Sequence, residues 1–167
     1  MNLRDLKQEM PEIFETVKKD VKKVKDWHRA GLRLGLAEME MYQGGFIGGM
    51  HFHPGTDIVM NTTPLKIMLA AKKDDLIIWA YIYHILLHEY IHSLGIIDER
   101  QCRIETINVS KEIFKDETHP ALILAKNGIG VYMPNLNITY PPPGQRPDNL
   151  FIEIVYGFDK ESQTYFS

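Results

Sequence analysis

The sequence predicts an α+β domain: a small mixed or antiparallel sheet with one central helix laid across it and further helices on either side. Three observations carry that prediction. A long apolar run extends from Leu76 to Ile97. Short alternating or glycine-punctuated segments fill residues 32–61, the pattern of half-buried strands. Helical stretches with recognisable starts and stops surround both. The chain has 167 residues, 44% of them hydrophobic and 25% charged, which suits one domain over 1–167 with a core that needs no staples. A net charge of −3 lacks the basic footprint of a nucleic-acid binder, so no nucleic-acid partner is expected. The single cysteine, Cys102, has no internal disulfide partner, and the first residues lack an apolar signal core. Both point to a reducing, cytoplasmic setting.

In chain order, residues 1–30 make an N-terminal helical segment. Ile13, Val17, Val21 and Val24 form its apolar stripe, and Pro11 reads as a first-turn residue. Lys18, Lys19, Lys22, Lys23 and Lys25 fall mostly off the stripe and read as a solvated face. In residues 32–42, Leu32, Leu34 and Leu36 alternate, then Met39 and Met41 continue on the opposite parity. That slip predicts a bulge or two short strands. Gly44, Gly45, Gly48 and Gly49 bracket Phe46 and Ile47 and predict a turn or an irregular strand. Asp57 to Asn61 reads as a strand, and Thr62, Thr63 and Pro64 as the start of a helix. Asp74 and Asp75 open the central helix, with acid where the macrodipole favours it, and Gly95 follows its end. Asp98 reads as the cap of a helix from Glu99 to about Lys115, and Pro120 opens another that Gly128 stops. Residues 129–149 contain Pro134, Pro141, Pro142, Pro143 and Pro147 and read as an extended surface loop. FIEIVYGF, residues 151–158, reads as a last strand.

The apolar run is long enough to cross a bilayer. It carries His84, His88, Glu89, His92 and Ser93, however, and no second apolar segment exists to shelter them. It therefore reads as a helix covered by protein on most sides, and no membrane partner is expected.

Chemistry concentrates in His88-Glu89-Tyr90-Ile91-His92, the pattern HExxH. Residues four apart on a helix lie about 6 Å apart on nearly one face. Two imidazoles so placed converge on one zinc ion, at about 2.0–2.1 Å each. Glu89 is rotated aside, where it reaches a water on the metal rather than the metal itself. Zinc lowers the pKa of such a water toward about 7. Glu89 then serves as general base while the water attacks a peptide carbonyl. The cofactor expected is Zn2+, and the partner a peptide or protein substrate.

The longer stretch HEYIHSLGIID, eleven residues, resembles the zincin metallopeptidases, and within them the metzincin pattern HExxHxxGxx followed by His or Asp. The resemblance implies a compact zincin-like fold, His88 and His92 as zinc ligands, Glu89 as catalytic base, Gly95 as the sharp turn and Asp98 as third ligand. It also implies a methionine turn, for which Met133 is the candidate, and an edge strand that binds extended peptide, best matched by Asp57–Asn61. Asp98 equally suits an N-cap, which leaves the third ligand open. His119 is the alternative imidazole. Glu99 is the immediate rival of Asp98, and Glu105 or Glu112 would serve if a second helix supplied the ligand, as in the small gluzincins. His51 and His53 share a face if extended, and read as a partly exposed strand feature. His84 lies one turn before His88 and reads as a packing or hydrogen-bonding neighbour. Tyr90, Tyr132 and Tyr140 are each placed to stabilise an oxyanion. The competing readings are a zincin-like metal-binding or regulatory module without turnover and an anion-binding lysine helix.

Overall fold

A 23-residue helix, α1 (Leu3–Lys25), opens the chain, its first turn closed by a capping box between Asn2 and Asp5. Four strands follow: β1 (Arg33–Ala37), β2 (Phe46–Ile47), β3 (Gly49–His51) and β4 (Asp57–Asn61). Helices α2 (Thr62–Ala70), α3 (Asp75–Ser93), α4 (Glu99–Ile113) and α5 (Pro120–Asn127) come next, then a short 3-10 turn, β5 (Ile138–Thr139) and β6 (Glu153–Val155). This computed structural model describes residues 1–41, 44–52, 55–140 and 150–159. The architecture is mixed α+β.

The main sheet has the order β3-β4-β1-β6. β1 runs parallel to β4, with Leu34 opposite Ile58, and antiparallel to β6, with Gly35 opposite Ile154. β3 lies antiparallel to β4, with Met50 opposite Val59. β2 and β5 form a separate parallel pair. α3 packs against α1, α4 and α5 and, on its remaining side, against β3. Tyr81, Ile85, Leu86, Tyr90 and Ile91 are therefore buried on every side of α3, which explains why it reads as apolar all round. Among the described residues, no helix is long and apolar enough to cross a membrane.

Several local expectations are corrected. Pro11 sits inside α1, not in its first turn. Met10, Phe14 and Val17 bury on both sides of it, and that packing outweighs the hydrogen bond the proline removes. Lys18 is buried, with Nζ 2.7 Å from Asp159 and 3.1 Å from Glu15, so the lysine face is not wholly solvated. β1 is one strand that ends at Ala37. The slip in alternation falls beyond it, where Met39 enters a second apolar cluster with Ile47, Met50 and Val59. β4 is an inner strand, paired on both sides, so the sheet's edge next to the central helix is β3 instead. Residues 129–140 are not an open loop. Leu136 is buried and Ile138 packs on the core, and that burial draws β5 into register with β2. Residues 141–149 lie outside the described residues, as does His53.

Candidate metal centre

α3 carries His88 and His92 on one face, with ring centroids 4.9 Å apart. His88 and Glu89 are only 1% and 2% exposed. Gly95, at φ +104°, lets the chain reverse direction after α3. The reversal is anchored by Arg29, whose guanidinium donates to the Ser93 carbonyl and, at 2.9 Å, to that of Gly55. It brings the first turn of α4 back under the two imidazoles. There Glu99 Oε1 lies 2.7 Å from His88 Nε2, and Glu99 Oε2 lies 3.0 Å from His92 Nε2.

The proton positions follow from the partners. His92 Nδ1 is 2.7 Å from the carbonyl of Ile96, which accepts only, so Nδ1 carries hydrogen and Nε2 faces Glu99. Burial opposes charge on His92, but Glu99 and Glu89 beside it hold its pKa above the ordinary value. Burial would likewise raise Glu99, yet the two imidazoles outweigh it and pull the carboxyl down to about 2. At neutral pH Glu99 is an anion. The His88–Glu99 contact is close but misaligned: both atoms are sealed from solvent and neither has a hydrogen-bond partner among the described residues. A cation drawing on both atoms would satisfy them.

Glu89 faces β3. Burial raises its pKa, and the backbone N–H of His51 donates to it. A Cβ on Gly49 would come 3.3 Å from Glu89 Cγ and 2.8 Å from Ile85 Cγ2, so the glycine is what lets β3 lie flat on α3 here. Tyr140 closes the other side. Its ring stacks on His88 at 4.3 Å, and its hydroxyl is 3.1 Å from His84 Nε2. His84, driven down to about 3 by burial and by His88, is neutral.

The remaining candidates are placed as follows. Asp98 caps α4, accepting the Gln101 N–H at 2.8 Å, and its neighbour Glu99 is the acid that reaches the rings. His119 caps α5, accepting the Ala121 N–H at 3.1 Å, and stacks on Phe114. Glu105 pairs with Lys25 at 2.7 Å, and Glu112 pairs with Lys115 on the exposed face. Met133 follows the 3-10 turn and packs on the core. His51 Nε2 is 2.8 Å from the Gly55 carbonyl. The Tyr90 hydroxyl faces the backbone of Arg29 instead of the histidines.

Sequence reasoning missed Cys102. Its thiol donates to the His88 carbonyl at 3.2 Å, and possible ligand atoms of His88, His92 and Cys102 lie within 4.8 Å of one another. The signal was its position three after Glu99, on the same face of α4. Of the two candidate third donors, Glu99 suits a cation better. It is already ionised, whereas burial and the nearby carboxylates push the Cys102 thiol far up. No family model matches the chain, and no curated protein or solved structure matches it.

Proposed function

We propose that the protein is a zinc-dependent metallopeptidase of the zincin type, with His88, His92 and Glu99 as the residues that hold the metal. Two imidazole nitrogens on one helix face, each within 3.0 Å of its own oxygen of one ionised carboxylate, carry this reading. The donors fit the ion. Imidazole nitrogens and an ionised carboxylate are donors that zinc takes, and they stand 2.7 and 3.0 Å apart here. The hydrogen bond from His92 to Ile96 also fixes the ring as a metal ligand requires.

Zinc supplies Lewis acidity to polarise a carbonyl and acidify a water. The chain's own groups supply the rest. Glu89, its pKa raised by burial, takes the proton of the attacking water and returns it to the leaving amine. The His51 N–H holds that carboxylate in place. Tyr140 stays protonated, since its pKa is raised well above the ordinary value by burial, and it donates to the oxyanion that develops. β3, at the sheet edge beside Glu89, accepts an extended peptide by strand addition.

The test is metal content followed by turnover. Wild type is expected to bind one equivalent of zinc and to gain thermal stability with it, about 4 kcal/mol at a thousandfold excess over Kd. It should cleave unstructured peptides, while Glu89→Gln binds zinc equally and cleaves none. Failure of the wild type to bind zinc overturns the reading.

One observation favours a second reading, a metal-holding module without turnover: Tyr140 lies directly on His88, and Glu89 is sealed from solvent. Zinc binding with no cleavage by wild type or Glu89→Gln selects it.

A further inference from the structure

We propose that the cavity beside the metal centre selects peptides that bring a carboxylate next to the scissile bond, with Arg103 and Lys126 as its receptors. The cavity encloses about 670 Å³, within the usual range of small-ligand sites. His84, His88 and Tyr140 are among its lining residues, so it adjoins the proposed metal centre on the His88 side. This inference rests on that reading for the scissile bond, though not for binding.

The lining has two chemistries. Ile85, Ile107, Leu124, Ile129 and Leu136 make an apolar wall. The polar part consists of Arg103, Lys126, Thr106, Asn127 and Asn137, with no carboxylate among the described lining residues. Arg103 stands one turn after Glu99 on α4. Its guanidinium lies over the Tyr140 ring at 5.2 Å, and its Nε is 3.8 Å from Glu99, beyond hydrogen-bond reach. The fork is thus aimed by a stack and by a charge while its donors remain suited to a bidentate anion. Tyr81, 1% exposed, is also among the lining residues, and its hydroxyl has no hydrogen-bond partner among the described residues. A sealed hydroxyl without a partner calls for an acceptor. An apolar body with an anionic end matches this surface. In a peptide, a free C-terminal carboxylate or an acidic side chain provides it.

The test has a cleavage arm and a binding arm. For cleavage, zinc-loaded protein is given N-dansyl pentapeptides of leucine and alanine as free acids or C-terminal amides, and amidated ones with Glu or Gln at each position. Carboxylate substrates should exceed their amide isosteres in kcat/KM by at least about tenfold, the scale of one charge-assisted hydrogen bond. A free-acid preference assigns the α-carboxylate, and a Glu preference the side chain. The ratio should approach one in Arg103→Gln/Lys126→Gln. It should turn toward lysine-bearing peptides in Arg103→Glu/Lys126→Glu, whose exposed positions leave the fold intact. For binding, acetyl-Leu-Leu as acid and as amide is titrated into Glu89→Gln protein, where the acid should bind tighter. If the acid binds tighter there but the zinc-loaded wild type cleaves none of the peptides, the cavity assignment stands and the peptidase reading falls. Cleavage indifferent to the carboxylate, or equal binding of acid and amide, overturns the cavity assignment and spares the peptidase.

Discussion

Glu99 Oε1 stands 2.7 Å from His88 Nε2 without aligning as a hydrogen bond, and both atoms are sealed from solvent. That relationship separates two neighbouring acids with different work. Asp98 closes the backbone of α4, and Glu99 serves the imidazoles. Glu99→Gln should therefore lower zinc affinity by more than the 10–100-fold typical of losing an outer partner of a ligand. Asp98→Asn should retain zinc affinity, and Asp98→Ala should cost about 1 kcal/mol of stability as a lost cap. Competition with a chromophoric chelator and urea unfolding measure the two. Normal zinc binding by Glu99→Gln, or its loss in Asp98→Asn, would reverse the assignment.

Gly49 is expected to be intolerant of a side chain. In Gly49→Ala the new methyl meets Ile85 and the Val59 carbonyl, at 2.8 and 3.2 Å, and lies against Glu89. Overpacking of this kind costs about 1–3 kcal/mol. Because β3 carries the N–H that holds Glu89, turnover should fall while zinc stoichiometry stays at wild-type level. Full activity in a stable Gly49→Ala protein would show that β3 does not position the base.

The pair between Lys18 and Asp159 ties α1 to the far end of the sheet. Lys18 Nζ is 2.7 Å from Asp159, whose other oxygen accepts the N–H groups of Gly31 and Leu32. Both side chains are buried. Asp159→Ala takes from the buried Lys18 its 2.7 Å partner, leaving Glu15 at 3.1 Å, and from two amides their acceptor, so about 3 kcal/mol should be lost. Lys18→Met should cost less, and Lys18→Met with Asp159→Ala less than Asp159→Ala alone. Urea midpoints across the three variants check that order.

Stability should also fall with rising pH through Asp20. Burial raises its pKa above 3.8, against the opposing pull of the Tyr83 hydroxyl at 2.6 Å and of Lys19 and Lys23. A folded-state pKa above the unfolded one means that the folded protein holds this proton more tightly. Its contribution is full below about 3.8 and is lost as pH climbs through the folded value. Asp20→Asn keeps an acceptor for Tyr83 and removes the titration. The stability difference between wild type and variant should shift in the variant's favour from pH 4 to 7, and a flat difference would refute the assignment.

Periodicity and end signals made most elements legible. The 19 residues of α3, the strand Asp57–Asn61, the cap at Asp98, the helix start at Pro120 and the stops at Gly95 and Gly128 all follow from side-chain spacing and local backbone preference. Pro11 and Lys18 misled for one reason. Each obeys a local rule that distant packing overrode, in one case by Met10 and Phe14 in the core, in the other by Asp159 at the opposite end of the chain.

The candidate site divides along the same line. His88, Glu89 and His92 were readable because one helical turn sets their spacing, and a helix needs no partner to define its own faces. The acid that meets them, the edge strand beside Glu89 and the placement of Tyr140 and Arg103 depend on how α4, β3 and the segment before residue 141 fold back on α3. Asp98 and Glu99 differ by one position, about 100° around a helix, and only the direction in which α4 leaves the turn at Gly95 decides which carboxylate faces the imidazoles.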